Sequence, residues 1–262
     1  MSRGVASILL EVSTVYTVFV ATYILLVVPA PTPIQKVLYS HASMTALALV
    51  GAAIGGGPLS RYGVALRGVG RRVALCMGFA AAILVARISV AMAVSFLSAS
   101  RTSFTELSAS YVTWLLIDLV LLTALPEELF YRGYVQTRIF DALTLRGWGA
   151  RRAWIASAAI AGTIFGVSHV LNYVEPSLRL SLGQGAALTI AGSTIVGFLL
   201  GIIRARSGCI WCPAIFHGLL NVSYTLVERS VSGAAAVISL VVGPLLMVPA
   251  LRALRRPGYV QR

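Results

Sequence analysis

Apolar runs long enough to cross a bilayer recur along the whole chain, and they exclude most folds at once. They cover roughly residues 5–28, 37–55, 73–97, 111–125, 154–174, 186–203, 210–226 and 231–251. A helix needs about 20 apolar residues to span the hydrocarbon core. The runs are too long and too uniform for strands, and they lack the alternation of an outer-membrane barrel. With 58% hydrophobic and 11% charged residues, the expected fold is all-α: a polytopic bundle of about eight transmembrane helices, forming one integral membrane domain over residues 1–262. Arg3 ahead of the first run has the look of a signal sequence. That run exceeds the usual ~15-residue limit and contains Glu11, so it is read as a retained span.

Basic residues set the orientation, because Lys and Arg stay on the cytoplasmic side during insertion. An even number of spans puts both termini together. With cytoplasmic termini, the inner side collects Arg3, Arg61, Arg67, Arg71, Arg72, Arg132, Arg138, Arg146, Arg151, Arg152, Arg204, Arg206, Arg252, Arg255, Arg256 and Arg262. The outer loops keep Lys36, Arg101, Arg179 and Arg229. The net charge of +13 is therefore read as topology plus attraction to anionic lipids, not as nucleic-acid binding. In a prokaryote such a protein would lie in the cytoplasmic membrane.

Against this background the ionisable residues inside apolar segments stand out. The chain has eight acidic residues and three histidines, and charges at membrane depth are costly and usually functional. Glu127, Glu128 and Arg132 continue the fourth run after Pro126, which is expected to bend or restart that helix. Glu128 and Arg132 are four apart, so they share a face and pair, whereas Glu127 points about 100° away and stays free for a reacting water. Glu127 and His169 lie at similar sequence distances on either side of a polar turn near Gly147, which brings them level in an antiparallel hairpin. His217 enters on another helix, roughly 16 Å in at 1.5 Å per residue, with Asn221 one turn deeper on the same face. Phe165 packs beneath His169.

A carboxylate desolvated by apolar surroundings is a stronger base toward water, and imidazoles or an amide can donate to an oxyanion. No nucleophile accompanies them: Ser168 projects off the face of His169. Cys209 and Cys212 form a C-x-x-C without a second pair and are read as small apolar side chains. Activated water hydrolysing an acyl bond within the membrane is the economical chemistry. Three further features are read as structural. Arg87 and Asp118 are expected to pair across a hairpin turning near Thr102; His41 is expected to be a satisfied interfacial or core histidine; Gly51 with Gly55, and Gly197 with Gly201, match small-xxx-small packing.

The set Glu127, Glu128 and Arg132, then Phe165 with His169, then His217 with Asn221, resembles the E-E-x-x-x-R, F-x-x-x-H and H-x-x-x-N pattern of the CAAX protease and bacteriocin-processing (Abi) family, the type II CAAX prenyl endopeptidases. The resemblance covers about residues 115–226 as a catalytic core. It implies an intramembrane endopeptidase with a cavity open toward the cytosol. Glu127, His169, His217 and Asn221 would be the catalytic residues, with Glu128, Arg132 and Phe165 in support. The substrate would be a membrane-embedded or lipidated peptide or protein, including prenylated CAAX tails.

The family is described as both metalloprotease and glutamate-dependent protease. Glu127, His169 and His217 could hold zinc with an open position, but no H-E-x-x-H is present, and the preferred reading uses no cofactor. Two alternatives stand beside proteolysis. One is a non-catalytic bacteriocin-immunity or scaffolding protein; the other is a proton-coupled transporter, for which no broken-helix inverted repeat is visible.

Overall fold

The computed structural model describes residues 4–64, 68–97, 108–183, 185–230 and 234–254. Among these residues it is an all-helical bundle with eight long helices: α1 Val5–Val27, α2 Pro33–Gly55, α3 Gly70–Leu97, α4 Ala109–Leu145, α5 Ala150–Tyr173, α6 Ala186–Ser207, α7 Trp211–Ser230 and α8 Ala234–Ala253. Among the described residues, α1 to α6 are the six long and apolar enough to cross a membrane, and the described apolar part of α8, Pro244–Ala253, is shorter. Large apolar side chains such as Leu10, Leu25 and Leu188 stay exposed on the perimeter, which suits a lipid surround. The chain is an integral, multi-pass membrane protein.

Local chemistry fixes several boundaries. The Thr32 hydroxyl accepts from the Gln35 amide and Pro33 occupies the first turn, so α2 starts there. Ser108 caps α4 through the Tyr111 amide. Gly147, at φ 84°, supplies the left-handed turn between α4 and α5.

α4 departs from expectation. Pro126 does not end or restart it; the helix runs unbroken for 37 residues. Two stretches of widened π turns, Ile117–Ala124 and Leu129–Val135, flank a short α segment containing Pro126. Wider turns give the backbone another way to accommodate a residue that has no amide hydrogen, so no sharp break is needed.

Among the described residues, two large apolar cores form, beside two small clusters. α1, α2, α4 and α5 share one, centred on Phe19, Phe130, Tyr134 and Phe165; α3, α6, α7 and α8 share the other, around Ile203, Cys209, Phe216 and Met247. Cys76, Cys209 and Cys212 are free thiols buried at the second core. α5 and α6 approach most closely. A Cβ on Gly197 would lie 3.0 Å from the Gly162 Cα, and one on Gly201 would lie 2.8 Å from the Ala158 Cβ. Gly51 and Gly55 make room differently, for the Tyr134 ring and for the Tyr62 and Arg138 side chains rather than for another helix backbone.

The expected Arg87–Asp118 pair is corrected. α3 packs on α7 and α8 instead of forming a hairpin with α4, so Arg87 donates to the Leu220 carbonyl at 3.1 Å and to the Ser223 hydroxyl on α7. The turn near Thr102 lies outside the described residues. Arg3, Arg67, Arg101, Arg255, Arg256 and Arg262 also lie outside them. Arg61, Arg71, Arg146, Arg151 and Arg206, in the loops and helix ends joining α2 to α3, α4 to α5 and α6 to α7, gather at one end of the bundle, while Arg179 lies in the loop after α5 at the other. Arg132 is not among them, because it is fully buried at mid-bundle.

Candidate active site

The two adjacent glutamates occupy different surroundings. Glu128 is completely buried, and its Oε1 lies 2.8 Å from Arg132 Nη1 and 2.9 Å from His217 Nδ1. One carboxylate thus ties α4 to α7 while neutralising a buried guanidinium. The Arg132 guanidinium also lies over the Phe165 ring, 4.4 Å from its centroid, a favourable cation–π position. Phe165 is a hub rather than a simple support: it makes edge contacts with His169 at 4.8 Å, Tyr131 at 5.1 Å and His217 at 5.6 Å.

Glu127 turns the other way, and its side chain keeps 16% exposure toward a cavity of about 390 Å³. Its Oε1 is 3.3 Å from His41 Nε2, and its Oε2 is 3.6 Å from His217 Nε2. His41 is therefore no isolated structural histidine. It reaches the carboxylate from α2, so four helices converge on the site: α2, α4, α5 and α7. The Glu127 carboxylate is bordered by imidazoles, His217 as expected and His41 in addition. The signal for His41 was present as an ionisable residue within an apolar span.

The three imidazoles are oriented alike. Nδ1 of His41 faces the Val37 carbonyl at 2.7 Å, Nδ1 of His169 faces the Phe165 carbonyl at 2.9 Å, and Nδ1 of His217 faces Glu128. Each partner accepts only, so Nδ1 carries the hydrogen, and in a neutral ring Nε2 is the bare lone pair. Two bare lone pairs facing a carboxylate would repel it. The contacts become attractive when a proton sits between Glu127 and a ring, so this cluster is arranged to hold and pass protons.

His169 lines the cavity where α5 tightens into its last turn. Ser168 also lines the cavity, but its hydroxyl donates to the Ile164 carbonyl and bonds with Tyr16. Asn221 sits half-buried on α7, one turn beyond His217, and is not part of the cavity wall. Of the three residues named for zinc, Glu127 and His217 lie 3.6 Å apart, and His169 lines the same cavity as Glu127. Among the described residues no three His, Cys, Asp or Glu side chains converge to hold a metal ion.

A helical membrane bundle with a carboxylate held between imidazoles at the floor of a cavity defines a class of candidate membrane hydrolases. Residues 109–223 match the family model described as type II CAAX prenyl endopeptidase Rce1-like. The match runs from the start of α4 into α7 and includes Glu127, Glu128, Arg132, Phe165, His169, His217 and Asn221; His41 lies outside it. No curated protein and no solved structure matches the chain.

Proposed function

We propose that the protein is an intramembrane endopeptidase that hydrolyses a peptide bond of a membrane-associated polypeptide with water activated at Glu127. The observation that carries this reading is the Glu127 carboxylate at the cavity floor, flanked by Nε2 of His41 and His217. Water at Glu127 attacks the scissile carbonyl carbon as its proton passes to the carboxylate. A protonated Nε2 on His169 or His217 donates to the developing oxyanion. When the carbon–nitrogen bond breaks, the proton held at Glu127 goes to the leaving amine. Glu128 and Arg132 position His217 without touching substrate, and Asn221 is a further oxyanion donor only if α7 turns toward the bound peptide.

The apolar cavity wall suits a lipidated segment, so a prenylated CAAX tail remains a fitting probe. The basic end of the bundle is proposed to rest against anionic lipid headgroups, which in a prokaryote would be those of the cytoplasmic membrane.

The test is cleavage of a fluorogenic farnesylated CAAX peptide by the detergent-purified protein, beside an unfarnesylated control and a membrane-inserted peptide. General-base loss in Glu127→Gln is expected to lower kcat by about 10²- to 10⁴-fold, and His217→Ala to lower it strongly. Activity that survives a strong chelator supports the metal-free route, and activity that disappears with it indicates a metal-dependent one. A folded wild type that cleaves none of the peptides, or a Glu127→Gln variant as active as wild type, would overturn the reading.

A further inference from the structure

The two ends of the site are built in opposite ways. Toward the basic end, every residue of α4 from Glu128 to Arg138 except Leu129 is buried. Beyond that plug, Arg138 Nη2 meets Glu11 at 2.8 Å, Arg138 Nη1 meets Asp141 at 2.8 Å, and Arg61 meets the same Asp141 at 2.8 Å. The Tyr134 hydroxyl donates to Glu11. Two inner loops are stitched together beside this network, where the Ile210 amide donates to the Gly63 carbonyl at 3.1 Å. Side chains and ion pairs from α1, α4 and the loop after α2 thus close this end.

The cavity opens at the other end. Val27 and Val28, where α1 finishes, Pro33 and Lys36, where α2 begins, and Asn172 and Val174, where α5 finishes, form its outer wall. His41 lies eight residues into α2, roughly 12 Å from that end at 1.5 Å per residue. That depth is about two-fifths of a ~30 Å hydrocarbon core. The arginine-rich loops belong to the sealed end, and the positive-inside rule makes that end cytoplasmic.

On the basis of the proteolytic reading, we infer that the catalytic chamber is reached from the extracytoplasmic side. Its substrate is then a polypeptide whose scissile segment lies at the outer boundary of the membrane, extended and with apolar side chains against Phe19, Val37 and Met44. This differs from the cytosolic opening that the family resemblance implies. A lipidated cytosolic tail would have to cross the Glu11–Arg138–Asp141–Arg61 network to reach Glu127.

Thiol accessibility in oriented membranes tests the inference without depending on cleavage, so its failure and the failure of the proteolytic reading are separable. The full chain is produced in cells as four single substitutions: Ser168→Cys and Ser40→Cys within the chamber, Asn172→Cys at its mouth and Leu145→Cys at the basic end. The native Cys76, Cys209 and Cys212 are buried, and the unsubstituted chain gives the background. A membrane-impermeant maleimide added to intact cells should label the mouth and both chamber positions and leave Leu145→Cys unlabelled. Inside-out vesicles should give the reverse. Chamber thiols labelled only in inside-out vesicles would overturn the inference. So would Leu145→Cys labelled in intact cells, or chamber thiols labelled from neither side while Asn172→Cys and Leu145→Cys each react from their own.

Discussion

His41 stands 86 positions from Glu127 in the chain, yet it is the nearest imidazole to that carboxylate. Removing it should leave the fold intact and loosen Glu127. His41→Ala is expected to lower kcat about tenfold, the equivalent of one ~1.4 kcal/mol hydrogen bond, with KM little changed and partial recovery in His41→Gln. Steady-state kinetics on the cleaved peptide would read both. Arg132 behaves oppositely, because it is buried against a buried carboxylate. Arg132→Met leaves the buried Glu128 carboxylate without its guanidinium, held only by His217, and should cost about 3–5 kcal/mol of stability, seen as a lowered Tm in detergent. The Glu128–Arg132 pairing was legible from i, i+4 spacing alone. The role of His41 was not, because no local pattern reports which distant helix a lone histidine will face.

Among the elements, α5 and α6 form the tightest contact. A Cβ on Gly162 would come 2.6 Å from the Phe198 amide nitrogen, so Gly162→Ala must push two helix backbones apart. It should destabilise by about 1–3 kcal/mol, and thermal unfolding of the purified variant would measure this. The small residues that permit this approach were visible in the sequence; their partners were less so, since Gly51 and Gly55 receive side chains instead of a helix. Helix existence followed from apolar run length, but the wide turns around Pro126 leave no mark on hydrophobic periodicity. The misassigned Arg87 has the same origin: chain order suggests α3 beside α4, while packing sets α3 against α7. The loop before α7 carries Cys209, whose thiol is pushed up by its bond with Cys212 and by burial. A raised thiol pKa means little thiolate at pH 8. Cys209 should therefore resist maleimide in the folded protein and react on unfolding, counted by intact mass.

At the scale of the whole molecule, the sequence defines a bundle and a sidedness of charge, but not which end of the bundle is hollow. That depends on how Glu11, Arg61, Arg138 and Asp141, distant in sequence, meet at one end. Glu11→Gln removes a carboxylate that receives both Arg138 and Tyr134. It is expected to lower Tm and to make Ser168→Cys reactive from both membrane faces in the oriented-vesicle assay.

The division into two cores bears on how the molecule is made. Glu127, His41 and His169 come from helices of one core, and His217 comes from a helix of the other. A chain synthesised from its N-terminus inserts α1 through α6 before α7 is available, so the carboxylate spends its early life beside only part of its proton-handling partners. On the proteolytic reading, activity thereby awaits near-complete biosynthesis, and a nascent chain is spared from acting on the neighbours among which it is being inserted.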